Sequence, residues 1–344
     1  MKKLTALLLS LALLLLAVPA LGEEEKVVNI FTWANYIDSE TLDGFEKETG
    51  IKVNFYNFED NESMLLKLQN SAGEYDLVLT SDYTLSAARK LGLLLPLERE
   101  KLTNFTNINE KYLNQFFDPE NVYSVPYAVG VPTIVYDPST VTGDLSSLND
   151  LWDEQFTDAL CIIDDARVMI GAVLKTMGYS YNTTDDAQLA EVKEKLFKLR
   201  KNVRIMDYNN QQFYLLSGEV KAAYMFTPAA VLAQMENPNL KVVFVSEGLG
   251  YGIDSLCIPA NAKHPECATE LINYILRPEV AAHIAEYQCY VNPNKAAEPL
   301  ISEDYKDYTA LNLPEELLAT SEFIQDLGDY EAVYQQIWEE FKLQ

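Results

Sequence analysis

The sequence predicts an α/β protein of two lobes, with largely parallel sheets covered by helices and a ligand cleft between the lobes. Three observations carry that expectation. Apolar strand-like runs alternate with amphipathic helical segments through most of the 344 residues. No repeat, low-complexity tract or Pro/Gly-rich linker interrupts them, so the lobes are not beads on a string and the chain crosses between them more than once. Large aromatics and isolated carboxylates stand at strand-to-loop boundaries, where open α/β sheets place their ligands.

The chain opens with Lys2 and Lys3, an apolar run over 4–18, Pro19, and Ala20-Leu21-Gly22 ahead of three glutamates. That is the layout of a cleaved secretory leader. The apolar run is nearly long enough for an uncleaved anchor, but Pro19 and the small residues favour cleavage. No cysteine lies near the cut, so no lipid anchor is expected. Removing 1–22 leaves 322 residues (344 minus 22), enough for two lobes. The expected boundaries are 23–132 with about 254–300 for the first lobe, and 133–253 with about 301–344 for the second.

The first strand (27–32) ends in Phe31-Thr32-Trp33-Ala34-Asn35-Tyr36, two large rings at the end of an apolar run. Asp38-Ser39 and Gly50 bracket a helix over 39–49 as N-cap and C′ residues. A strand (51–56), a helix (61–71) and a strand (76–80) follow, the last ending in Ser81-Asp82-Tyr83 before a helix over 84–91. Strands are expected at 123–126 and 131–136, a helix at 148–152, and a strand at 160–164 that ends in Asp164-Asp165 before a helix over 166–177. Helices at 186–200 and 210–216 precede a strand at 221–225 capped by Phe226, a helix at 228–235 and a strand at 241–245. Gly250-Tyr251-Gly252 reads as a turn with an exposed ring, and Asp254 opens the strand 253–258. Helices at 265–275, 278–286 and 329–342 complete the pattern.

The formal charge of −26 becomes −28 once the leader's two lysines are removed (−26 minus 2). Such a chain repels nucleic acid and anionic membrane, and its total charge serves solubility first. Cys161, Cys257, Cys267 and Cys289 show no CxxC spacing, and His264 and His283 add no cluster, so no metal site is expected. Two disulfides or free buried thiols both remain open. There is no GxSxG elbow, HExxH or P-loop. Asp164-Asp165 could suggest paired acids for glycoside hydrolysis, yet adjacent residues at a strand end point oppositely. One of the two is expected to cap the following helix and the other to face the cleft. No catalytic residue and no cofactor are expected.

Aromatic faces with buried carboxylates suit organic ammonium ions: rings attract the cation and carboxylates accept charge-assisted N–H bonds. The candidates are Trp33, Tyr36, Ser81, Asp82, Tyr83, Asp165, Phe226, Tyr251, Asp254 and Tyr290. Tyrosine is abundant (21 residues), so a single Tyr is more often packing than contact, and Asp82 could equally be a helix cap. Asp165 and Asp254 are the strongest individual choices.

From about residue 27 to about 340 the chain resembles the periplasmic spermidine/putrescine-binding proteins of polyamine ABC transporters, within the type II periplasmic binding fold. The matching stretches include Phe31-Thr32-Trp33 with Tyr36, Glu48-Thr49-Gly50-Ile51-Lys52-Val53, Asn61-Glu62-Ser63-Met64, Ser81-Asp82-Tyr83, Tyr123-Ser124-Val125-Pro126-Tyr127, Asp164-Asp165-Ala166-Arg167, Asp254-Ser255-Leu256 and Asn292-Pro293-Asn294. The resemblance implies two lobes closing on an extended polyamine without chemistry on it, and a membrane permease as partner. It implies Trp33 and Tyr36 stacking on the ligand, Ser81 and Tyr83 lining the first lobe, Asp165 and Asp254 holding ammonium groups, Tyr290 as a wall and Gln325 as a polar contact. A monomer in a periplasm fits that reading. The chain departs from the family where Asn35 and Val168 replace acids, where Phe226 replaces a tryptophan, and where Gly252 takes another tryptophan's place beside Tyr251. Two retained aspartates balance a dication better than a trication, so a short diamine such as putrescine is favoured, unless Asp82 or Glu247 supplies a third acid. The competing expectations are a different small solute such as an amino-acid derivative or sugar, a carboxylate-dependent hydrolase, and a sensor that hands its signal to a receptor. Hinges are expected near 130–136 and 250–255.

Overall fold

A computed structural model describes residues 26–344; the leader read at 1–22 lies outside the described residues. Two mixed sheets organise them. The strands and helices, in chain order, are β1 (Val27–Thr32), α1 (Ser39–Thr49), β2 (Lys52–Asn57), α2 (Asn61–Asn70), β3 (Leu77–Thr80), α3 (Asp82–Lys90), β4 (Ser124–Gly130), β5 (Pro132–Tyr136) and β6 (Leu160–Ile163). Then come α4 (Ala166–Lys175), α5 (Asp186–Leu199), β7 (Val203–Asp207), α6 (Gln211–Leu216), β8 (Ala222–Phe226), α7 (Thr227–Glu236), β9 (Lys241–Val243) and β10 (Gly250–Cys257). The chain ends through α8 (Pro265–Ile275), α9 (Pro278–Gln288), α10 (Glu303–Lys306), α11 (Glu315–Leu318), β11 (Glu322–Phe323) and α12 (Tyr330–Lys342).

The first sheet runs β11-β10-β3-β1-β2, with β4 also paired to β10; the second runs β7-β6-β8-β5-β9. Each keeps a parallel centre (β2-β1-β3 and β7-β6-β8) and adds antiparallel strands, so "largely parallel" holds for the centres only. Both faces of β1 are covered, as its alternation dictates. Val28 and Ile30 join Phe45 of α1 and Leu271 of α8, whereas Phe31 packs with Met64 of α2 and Leu85 of α3. In the second sheet Leu160 and Ile162 meet α4, α5 and α12, and Cys161 meets α6 and α7.

Only Val131 separates β4 of one sheet from β5 of the other, and β9 returns to β10 through Gly250. At that return the buried ring of Tyr181 lies where a Cβ on Gly250 would sit, 2.1 Å from it, and a Cβ on Gly171 of α4 would meet the same ring at 2.1 Å. The Tyr181 hydroxyl donates to the Val168 carbonyl at 2.6 Å, so this ring ties the crossing strand to α4.

Several expected elements shift. Strand β10 starts at Gly250 rather than 253, β4 extends to Gly130, and 148–152 is a 3₁₀ turn. Strand β7 was not anticipated, because Val-Arg-Ile-Met-Asp is short and follows a helix without a turn signal. All four cysteines are free, three of them buried, which leaves the disulfide alternative aside.

Candidate functional site

The carboxyl ends of β1, β3, β6 and β8 meet β10 around one cleft. Tyr36, buried just past β1, donates its hydroxyl to Asp254 Oδ2, and Ser81 Oγ donates to Asp254 Oδ1 at 2.6 Å. The Tyr36 carbonyl accepts from the Tyr127 hydroxyl at 2.7 Å, which fixes the loop that carries the ring. Trp33 and Tyr290 flank Tyr36 with ring centroids 5.2 and 5.5 Å away. A register shift between Asp254 and Ser255 in the β10–β4 pairing, the mark of a bulge, sits at the residue whose carboxylate enters the cleft.

Strand alternation decides the rest of β10. Gly252 and Asp254 line the cavity; Tyr251 lies on the other side, its ring 4.2 Å from Phe323. The expectation of Tyr251 as a ligand wall is therefore corrected: reading the strand from 253 hid its phase. Where Gly252 stands, a Cβ would lie 3.5 Å from Asp82 Oδ2, so the missing side chain leaves Asp82 facing the cavity. Asp82 is 1 % exposed and accepts from the amides of Tyr83 (2.8 Å) and Ile253 (3.4 Å); Ser81, not Asp82, is the cap of α3.

From the second lobe, Asp165 caps α4 by accepting the Val168 amide at 2.8 Å and also lines the cleft. Cap and cleft roles were expected to fall on different members of the Asp164-Asp165 pair, and one residue carries both. Asp164 is exposed and accepts from Trp338 Nε1 at 2.8 Å. Phe226 and Tyr208, centroids 5.8 Å apart, form the aromatic wall on this side. Arg167 is buried beside Asp165, but its guanidinium is committed to Glu331, the Gln325 carbonyl (2.9 Å) and Asn182 Oδ1 (3.0 Å).

Ser81, Asp82, Tyr83, Asp165, Phe226, Tyr208, Asp254 and Tyr290 line one inner cavity. It continues through Asn61, Tyr83, Asp165, Arg167 and Tyr208 into an outer chamber lined further by Trp33, Glu62 and Trp338. Burial pushes the carboxyls of Asp254 and Asp165 up, against the lowering hydrogen bonds of Ser81 and Tyr36 and of the Val168 amide. Asp82 is driven well above the usual carboxylate range by burial and then by the charge of Asp254. Among the described residues, none of the three has a lysine or arginine ion-pair partner. Such a set stores acceptor capacity and negative charge that a bound cation would satisfy.

Three further expectations need correction. Asn35 is exposed, with a left-handed φ of 59°, and does not line either chamber. Gln325 is exposed and contributes through its backbone, its carbonyl to Arg167 and its amide to Asn182. Glu247 accepts from Ser147 Oγ and from Asn149 Nδ2 (3.0 Å), and lines neither chamber. Tyr208, Asn61, Glu62 and Arg167 were missed as liners. Tyr208 follows β7 directly, so the signal that singled out Trp33, an aromatic just past a strand end, would have found it had that strand been recognised. Among the described residues no group of three or more His, Cys, Asp or Glu could hold a metal ion.

Comparison with known proteins places this arrangement. Residues 40–313 match the family model of the bacterial extracellular solute-binding protein. The chain is 37 % identical to the spermidine/putrescine-binding periplasmic protein of Salmonella typhimurium, over 99 % of both chains. It is 30 % identical to a putrescine-binding periplasmic protein of Escherichia coli, over 90 % of this chain and 89 % of that one. A crystal structure of the spermidine/putrescine ABC transporter substrate-binding protein of Streptococcus pneumoniae superposes with a TM-score of 0.83 at 32 % identity, covering 92 % of this chain and 99 % of that one.

Proposed function

The chain belongs to the family of bacterial extracellular solute-binding proteins, and from that premise we infer that it captures a polyamine in the cleft and delivers it to an ABC transporter permease. It is a binding protein and not an enzyme, as its relatives are. It works outside the cytoplasm; a periplasmic, monomeric form released from a cleaved leader is the form we propose. The observation that carries the polyamine reading is the set of carboxylates without a cationic partner, Asp254, Asp82 and Asp165, in chambers lined by the rings of Trp33, Tyr208, Phe226 and Tyr290, with Tyr36 held behind Asp254.

The mechanism follows from where each group stands. Asp254, already held by Tyr36 and Ser81, accepts one ammonium without further reorganisation. Asp165 reaches the ligand from the second lobe, and the ring faces cover the methylene chain while attracting its cationic ends. A ligand bridging the lobes contacts both only in the closed form, so binding shifts the hinge equilibrium by that difference in contacts. The short crossing at Val131 and the return at Gly250 are the segments about which such a motion turns.

Isothermal titration of protein stripped by unfolding and refolding tests the reading, with putrescine, cadaverine, spermidine and spermine. One-to-one binding of at least one of them, weakened about 100-fold in Asp254→Ala, is expected, since a charge-assisted bond to a buried group is worth about 1.5–3 kcal/mol. No heat with any of the four sinks the polyamine reading and leaves the family assignment intact.

A further inference from the structure

The two acids retained by the sequence suggested a diamine. The outer chamber changes that count. Asn61, the first residue of α2, donates through Nδ2 to Ser81 Oγ (3.2 Å) and to the Tyr83 hydroxyl (3.1 Å). Ser81 in turn donates to Asp254, and the Tyr83 hydroxyl donates to Glu62 Oε1 at 3.3 Å. One hydrogen-bonded ladder, Asp254–Ser81–Asn61–Tyr83–Glu62, thus runs along the first lobe's wall from the inner cavity to the outer chamber. It carries a carboxylate at each end.

Asp165 of the second lobe lines the same outer chamber; partial desolvation at the chamber's edge, and after it the charge of Asp165, raises the Glu62 carboxyl. The chamber's two cations are committed elsewhere: Arg167 to Glu331, and Lys342 to Glu339 at 2.8 Å with Asp164 at 3.8 Å. Glu62 has no lysine or arginine partner among the described residues. Trp33 and Tyr208 line the same chamber. The cavity lined by Asp254, Asp82 and Asp165 therefore continues, along a hydrogen-bonded wall, to a further acceptor in the outer chamber.

We propose that Glu62 is a specificity-determining residue that binds the third ammonium of a triamine, the one that reaches past Tyr83 into the outer chamber. The proposal rests on the polyamine reading and goes beyond it. A diamine fills the inner cavity and leaves Glu62 untouched, whereas a triamine extends past Tyr83 into the outer chamber.

The test is titration of stripped wild-type protein and Glu62→Gln with spermidine and with putrescine. Glutamine keeps the shape and the acceptor for Tyr83 and removes only the charge. Spermidine affinity is expected to fall about 10- to 100-fold in the variant, with putrescine affinity changed less than about twofold. Equal losses for both ligands would mark Glu62 as merely structural, and no loss for either would exclude it from the site; each overturns the proposal. Wild type that binds putrescine but not spermidine overturns it too while the polyamine reading stands. Wild type that binds neither overturns both.

Discussion

The two lobes furnish the cleft in different ways. The first supplies acids already held in place. Asp254 receives two side-chain hydroxyls, Asp82 receives two amides, and Tyr36 is itself anchored by Tyr127. The second supplies Asp165, whose backbone hydrogen bonds serve the start of its own helix, and the half-open rings of Phe226 and Tyr208. The first lobe is thus a preorganised receptor and the second a jaw that completes it. Preorganisation raises affinity by lowering the cost of ordering side chains at binding, so the two aspartates should not be energetically equal.

The largest effect follows directly. Asp254→Ala is expected to weaken polyamine binding about 100-fold, and Asp165→Asn only about tenfold. Asparagine caps a helix nearly as well as aspartate, so α4 stays intact and the second loss reports charge alone. Calorimetric titration of both variants decides it: equal losses would break the contrast between receptor and jaw.

The joint between the lobes gives the next largest effect. In Gly250→Ala the new methyl would meet the Tyr181 ring, which is clamped between Gly250 and Gly171 and hydrogen-bonded to Val168. Overpacking of this kind costs about 1–3 kcal/mol. In Gly252→Ala the methyl meets only ordinary contact with Asp82, at 3.5 Å, and stability should change by less than about 0.5 kcal/mol. Chemical denaturation of the two variants side by side distinguishes a tight joint from a loose cavity wall two residues away; comparable losses would mean Tyr181 yields.

Much of the first lobe's share was legible in the sequence because its signals are local. Asp38 and Gly50 do cap α1, with Gly50 at φ 72°. Trp33 after β1 and the Ser81-Asp82-Tyr83 triplet after β3 line the chambers, whereas Tyr36 stands behind Asp254 and Asn35 lines neither. Other positions in both lobes were harder to read. Tyr208 stands behind a strand too short to announce itself, and Tyr251 was assigned by a turn signal in a segment that is strand, where period two turns its ring away. Glu62 belongs to an exposed helix start whose sequence says nothing of the cleft. Only the Asn61–Tyr83 bonds across 22 residues reveal its place.

Acidity separates the lobes more subtly. Asp82 holds its proton to higher pH when folded than the roughly 3.9 of an unfolded aspartate, because it is buried beside Asp254. In that window the folded state binds more protons, so the ligand-free protein loses stability as pH rises through the folded value and regains it as pH falls. Asp82→Asn removes the linkage. It should melt higher than wild type at neutral pH, with the gap closing toward about pH 3.5. Polyamine affinity of the wild type should rise over the same window, since the cation binds the deprotonated carboxylates. A melting difference independent of pH would mean that the two amides offset burial and that folding leaves the carboxyl's hold on its proton unchanged.

The smallest effect is expected at the rim. The family resemblance implied an acid at the position of Asn35, which suggests that placing a charge there should raise affinity. The geometry argues otherwise: the residue is exposed, points its backbone through a left-handed turn, and lines neither chamber. Aspartate tolerates that backbone, so Asn35→Asp tests charge without strain. A solvent-exposed charge at this distance contributes at most about 0.5 kcal/mol and is screened by salt, so spermidine affinity should improve less than about twofold at physiological ionic strength. A tenfold gain would mean that lobe closure carries residue 35 onto the ligand, and the first lobe would then be less preorganised than its hydrogen bonds imply.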